Sequence, residues 1–269
     1  RLNSYSAEGG ARADMNTFLM QAGVDGLFAE RESGWLTGGI YGQYGTVRSR
    51  IDSANGRGTV NTQGWGLGAT LTWYGENGFY VDGQGQATWY RNDLRSDTAQ
   101  LSLAHGRTGF GYALGVETGK RIALDGEGGN WTLTPQAQLI WSSATLDNFR
   151  DVWDTSVTSN NGDQLTGRLG LAANYRSAWR GNDGMLARTS VYGIANLYQD
   201  LVSRASVRVD GTRFSDRRDR TWGGVGLGGT YAWADDKYAV YGEGSVNTAL
   251  NHFGDSYTLK ANLGFRVSW

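Results

Sequence analysis

The last thirteen residues constrain the fold more than any other stretch, because they alternate strictly between two kinds of surface. Tyr257, Leu259, Ala261, Leu263, Phe265, Val267 and Trp269 share one face, and Thr258, Lys260, Asn262, Gly264, Arg266 and Ser268 share the other. A period of two is that of a β-strand standing between unlike environments. The same division recurs at 65–74, where Trp65, Leu67, Ala69, Leu71 and Trp73 oppose Gly66, Gly68, Thr70, Thr72 and Tyr74. It recurs again over 79–90, 130–142, 164–176 and 238–250. Helical periodicity is almost absent, and no apolar run approaches the roughly 18 residues of a transmembrane helix.

Turn chemistry spaces these strands. Gly, Asn and Asp, which tolerate the positive φ of tight hairpins, cluster at 30–34, 75–78, 125–129, 180–184 and 235–237. More variable connections fall between them, near 52–57, 96–106, 148–162, 201–217 and 251–256. Each interval between tight turns holds two strands, so 35–233 carries eight, the tail after 237 adds two and 17–29 adds one. A barrel with both ends on one side needs an even number, which predicts a twelfth strand, short and irregular, within residues 5–16.

Alternation alone also suits a soluble sandwich. Here, however, the apolar faces carry aromatics at their ends, as in Trp65 and Trp73, Phe79 and Trp89, Trp131 and Trp141, and Tyr257 and Trp269. Aromatic rows bounding an apolar band about 25 Å tall are the girdles of a membrane barrel. The opposite faces are rich in Gly, Gln, Asn, Thr and Ser, as a crowded lumen requires. A mean hydropathy of -0.47 is compatible with this, since only alternate residues need be apolar. The expected fold is an all-β, twelve-stranded antiparallel transmembrane β-barrel. A net charge of -1 gives no basic footprint for nucleic acid, and the absence of Cys removes thiolate metal sites and cysteine nucleophiles. No metal-ligand spacing or cofactor motif is present. The repeat "GVGLGG" at 224–229 reads as small residues making room in the lumen, not as a phosphate loop.

Four stretches then resemble a known family: "GFYVDGQGQATWYRNDL" at 78–94, "WTLTPQAQLIW" at 131–141, "GRLGL" at 167–171 and the terminal "ANLGFRVSW". They are similar to the C-terminal translocator domains of autotransporters, above all the pertactin type and a related serum-resistance autotransporter. The similarity runs over nearly the whole chain after residue 16. It implies a linker end and possible first strand at 1–16, with the N-terminal segment entering the lumen, and a barrel translocator over 17–269. The family's long aromatic first strand is not recognisable in this sequence.

The resemblance implies an outer-membrane domain that anchors and exports an upstream passenger domain in type V secretion, as a monomer and without enzymatic activity. Its further partners are the barrel-assembly machinery, outer-membrane lipid and lipopolysaccharide. Gly264, Phe265, Val267 and Trp269 match the terminal signal read by that machinery, and they equally match the lipid face of one strand. Twelve strands enclose a lumen roughly 10 Å wide. That admits an extended chain or one helix of about 10–12 Å, but no folded domain. Asp25, Asp82, Glu117, Arg168, Arg176, Arg188, Glu243, Lys260 and Arg266 are expected to point into it. They either grip the exported linker or pair with one another.

Three rivals remain. A passive porin would show a similar lumen. A barrel hydrolase needs a His beside an acid, and only His105, near Asp97, and His252, near Asp255, are available. The third is an anchor whose outer loops bind a surface, for which the basic residues Arg204, Arg208, Arg213, Arg217, Arg218 and Arg220 could serve acidic lipopolysaccharide or simply be solvated.

Overall fold

The alternating segments close on themselves. The computed structural model describes residues 2–6, 12–54, 56–125, 130–146, 149–150, 156–159, 162–181, 184–204, 206–209, 212–215, 220–251 and 255–269. Its main sheet has thirteen strands, of which Ile122–Ala123 is a two-residue segment and the other twelve form the wall. These are β1 (Leu2–Ser6), β2 (Arg12–Arg31), β3 (Gly34–Ser53), β4 (Gly56–Gly75), β5 (Phe79–Ser96) and β6 (Leu101–Lys120). They continue as β7 (Trp131–Leu146), β8 (Asp163–Arg180), β9 (Leu186–Arg204), β10 (Thr221–Trp233), β11 (Tyr238–Ala249) and β12 (Tyr257–Val267). Every strand runs antiparallel to its sequence neighbours, and β1 joins β12 to complete the ring.

The twelfth strand sits at Leu2–Ser6, paired on one edge with β12 and on the other with β2. The opening residues expected inside the lumen therefore lie in the wall, where two open strand edges offer them hydrogen-bond partners. β2 likewise begins at Arg12, earlier than residue 17. Among the described residues, Leu2, Asn3 and Ser4 pair with β12 opposite Leu259, Thr258 and Tyr257.

Three connections also differ from expectation. The one near 52–57 is a tight turn between long strands, closed by Ser53 Oγ donating to Gly56 O at 2.9 Å, with Gly56 at φ 132°. Strands of twenty residues span more than the roughly 9–11 needed to cross a bilayer. The surplus stands in water, where polar residues on both faces cost nothing. The expected loops 148–162 and 201–217 contribute a second sheet, with Ser156–Ser159 pairing both Phe149–Arg150 and Ser206–Val209, and the latter pairing Thr212–Ser215.

No conventional core exists. Among the described residues no large side chain is fully buried, while Trp65 and Trp89 are 55% and 39% exposed. A soluble sandwich would bury them. Instead Trp65 stacks on Trp89 at 4.5 Å, and Phe110, Tyr112 and Trp141 continue this row toward the loop end. A second row, from Trp179 through Tyr231 and Trp233 to Tyr238 and Phe265, borders the turn end.

On the inner face, tyrosine rings lie across glycines of the adjacent strand. A Cβ on Gly68 would come 2.1 Å from Tyr41 Cζ, one on Gly228 2.5 Å from Tyr192 Cζ, and one on Gly264 2.1 Å from Tyr241 Cζ. The glycine leaves a groove through which the ring reaches the strand beyond. Tyr41 Oη donates to Gln86 Oε1 at 3.3 Å across β4, and Tyr90 Oη to Thr145 O at 2.5 Å across β6. The glycines at 224–229 serve this purpose on β10. Gly228→Val is expected to expel the Tyr192 ring and lower folding stability by about 3 kcal/mol, from overpacking plus a lost hydrogen bond to a charged group. Gly244→Val is the control, since the nearest atom to its Cβ is 4.0 Å away. The temperature at which the folded gel band is lost should fall for the first variant only.

Candidate functional site in the barrel lumen

The inward face of β4 to β12 encloses a cavity of about 520 Å³. Six of the nine charged residues expected in the lumen line it: Asp82, Glu117, Arg168, Arg176, Glu243 and Lys260. Alternation explains this, because each occupies the same parity as the polar residues around it.

Arg168 on β8 organises the cavity. Its Nη2 lies 2.5 Å from Glu117 Oε2 on β6, its Nε donates to Gln138 Oε1 at 3.0 Å on β7, and its Nη1 donates to Asn196 Oδ1 at 2.8 Å on β9. Glu117 also accepts from Tyr80 Oη at 2.6 Å. One guanidinium therefore ties four consecutive strands together, with only 11% of the Arg168 and 17% of the Glu117 side chain exposed. Across the lumen, Tyr192 Oη donates to Glu243 Oε2, bridging β9 and β11 over β10. Asp82 accepts from Thr72 Oγ1 at 2.5 Å and from Gln84 Nε2 at 2.6 Å.

The cations are less evenly satisfied. Arg176 faces the cavity with no ion pair among the described residues. Arg121, just past β6, also lines it and lies 5.0 Å from the Tyr74 ring centroid. Sequence reasoning passed over Arg121 because it lies outside the alternating run. It passed over Tyr80, Tyr192 and Asn196 because it followed charge alone, although they share the parity of the charges that were chosen.

Three expected lumen charges lie elsewhere. Asp25 stands opposite Gly39 on the inner face of β2, away from the cavity. Arg188 is at the turn rim, 2.5 Å from Asp236, which helps hold a turn whose Ala234, Asp235 and Asp236 all have positive φ. Arg266 lies on the inner face of β12 opposite Ala239, also outside the cavity. Of the terminal residues, Phe265 and Val267 point outward and Gly264 lies under Tyr241. Trp269 falls beyond the last strand and is 96% exposed. Ser268 N still donates to Lys237 O at 2.8 Å.

His105 Nδ1 lies 2.7 Å from Asp93 Oδ1, so its acid is Asp93 and not Asp97. His252 lies outside the described residues, as do Arg217 and Arg218 of the basic loop. Among the described residues, no group of three His, Cys, Asp or Glu side chains could hold a metal ion.

An antiparallel ring of strands, greasy outside, polar and charged inside, with aromatic rows at both edges, is an outer-membrane β-barrel. Residues 1–245 match the model of the autotransporter β-domain, and the chain belongs to that family. It is 47% identical over 259 residues to the adhesin BmaC autotransporter of Brucella suis biovar 1, an alignment covering 96% of this chain and 8% of that protein. It is 28% identical over 266 residues to the pertactin autotransporter of Bordetella parapertussis, covering 97% of this chain and 27% of that one. The chain thus spans a minor part of the curated relatives it matches. The transport unit of the autotransporter AIDA-I from Escherichia coli superposes with a TM-score of 0.81 at 19% identity, covering all of this chain and 87% of that one. The β domain of the Bordetella autotransporter BrkA gives 0.68 at 17% identity, covering 96% of that chain. The domain is accordingly an outer-membrane translocator of type V secretion.

Proposed function

We propose that this barrel anchors an upstream passenger, exports it unfolded, and holds the segment that follows the passenger with the charges of its lumen. The observation that supports holding is the imbalance in the cavity. Glu117 is committed to Arg168, while Arg176 faces the same space with no ion pair among the described residues. A segment carrying carboxylates would find a partner there. An adhesive passenger is the reading supported by the adhesin relative. The domain acts as a monomer, binds no nucleic acid and performs no catalysis of its own.

Planar-bilayer recordings test the holding role. With the segment following the passenger attached, Arg176→Ala and Glu243→Ala should both raise conductance and the frequency of opening. Currents matching those of the unmodified protein in both variants would refute it.

Gly264, Phe265, Val267 and Trp269 are read as the address recognised by the barrel-assembly machinery. The exposure of Trp269 supports this, since a side chain beyond the last strand is available to a partner during insertion. Deleting Trp269 should slow appearance of the folded band in outer membranes several-fold while leaving the melting temperature of the folded fraction unchanged. Normal kinetics would remove the assignment.

A further inference from the structure

Just beyond the loop-end aromatic row, the outward face of β3, β4 and β5 becomes basic. Tyr44, Trp65 and Trp89 are followed, two residues further out on each strand, by Thr46, Gln63 and Arg91, and then by Arg48, Asn61 and Asp93. Arg50, Thr59 and Arg95 come next. Two residues of strand rise about 7 Å and four about 13 Å, so Arg91 stands just above the hydrocarbon edge marked by the tryptophans and Arg48 one step further out, both within the headgroup layer.

The acids on this surface have partners of their own, including Asp93, which lies in the same face opposite Asn61. Asp93 accepts from Gly106 N at 2.7 Å and contacts His105 Nδ1 at the same distance. Asp97 accepts from Thr59 Oγ1 at 2.7 Å and lies 3.7 Å from Arg95. Asp14 lies 3.5 Å from Arg12, and Asp52 lies 3.9 Å from Arg57. Arg48, Arg50 and Arg91 have no ion pair among the described residues. Arg91 and Arg48 are the two of these nearest the girdle, and all three are exposed.

A groove of about 490 Å³ runs across this face. Asn61, Gln63 and Asp93 line it together with Arg48, Phe18 provides an apolar flank, and Arg91 stands at its edge opposite Gln63. Arg48 and Arg91 stand on either side of β4, two strands and two residues of rise apart, or about 12 Å. Both side chains can therefore close on an anion held over Asn61 and Gln63, which add amide donors.

We propose that this groove binds the phosphorylated headgroup of an outer-leaflet lipid, with Arg48 and Arg91 clamping the phosphate and Arg50 beside them. The inference rests on the outer-membrane location of the barrel. It adds a lipid site on the outer wall, independent of the lumen and of export. An acyl chain descending from the headgroup would lie along Phe18 and the apolar band. Positioned there, the lipid would stiffen β2 to β5.

The test is native mass spectrometry of the purified chain in detergent, with diphosphorylated lipid A as the probe. The unmodified protein should retain one lipid, and dephosphorylated lipid A should bind about tenfold more weakly, the loss expected for removing charge-assisted hydrogen bonds. Arg48→Gln/Arg91→Gln should lose a comparable factor, and Arg91→Gln alone a smaller one. Lys237→Gln, at the turn end, should bind as the unmodified protein does. Millimolar inorganic phosphate should leave the lipid in place, and its displacement would mean a site for free phosphate, overturning the lipid assignment. Equal lipid retention by the double variant would also overturn it. Each variant is checked for the folded gel band, and conductance is recorded in parallel. A lipid result can then fail while the lumen behaves as proposed, and the reverse.

Discussion

Arg168→Ala is expected to lower folding stability by about 3 kcal/mol, the low end of what breaking a buried ion pair costs. The low end applies because lumen water can reach part of the vacated space. The cost arises from what remains. Glu117 keeps only Tyr80 Oη, and Gln138 and Asn196 each lose a donor, so four strands lose their common tie. Unfolding in urea, followed by tryptophan fluorescence in liposomes, measures the loss. Arg168→Ala/Glu117→Ala should recover part of it, because the stranded carboxylate is then gone. A loss below about 1 kcal/mol, the size of an exposed surface pair, would show that the network is ornamental to stability.

The second large effect concerns the other face of the wall. Leu227 is 72% exposed and stands between the glycines Gly193 and Gly244 of the flanking strands. It is four residues from Tyr231, or about 13 Å of strand, which places it near the middle of the apolar band. Leu227→Arg should cost about 2–4 kcal/mol, the penalty for a cation at the bilayer midplane. Ser245→Arg, on the inner face one strand away, puts the same side chain into the polar cavity and should cost far less. Similar losses for the two variants would contradict the assignment of inside and outside, and with it the membrane reading. Equilibrium unfolding from liposomes distinguishes them.

How much was legible depends on whether a residue's role is set by its own strand. The parity of Trp65, Leu67 and Leu71 against Gly66 and Gly68 was readable because a period of two is local. The eight strands over 35–233 followed from hairpin chemistry for the same reason. The end of β12 at Val267, the tight turn at 53–56 and the paired loops around 157 and 208 were not readable, because each depends on a partner segment. The twelfth strand was expected from the count, but its place was not. Nothing local in Leu2–Ser6 marks a strand, and only the open edges of β2 and β12 make it one.

The chain's residues, taken in order, already specify an all-β wall with two unlike faces, its aromatic borders, its strand count and the side on which each charge lies. They do so because side-chain direction along a strand follows from position alone. Which charges meet was settled by closure and stagger. Glu117 and Arg168 stand on strands two apart, and Tyr192 reaches Glu243 only because Gly228 leaves the ring a path. Such pairings depend on register around the ring, and register is a property of neighbouring strands together.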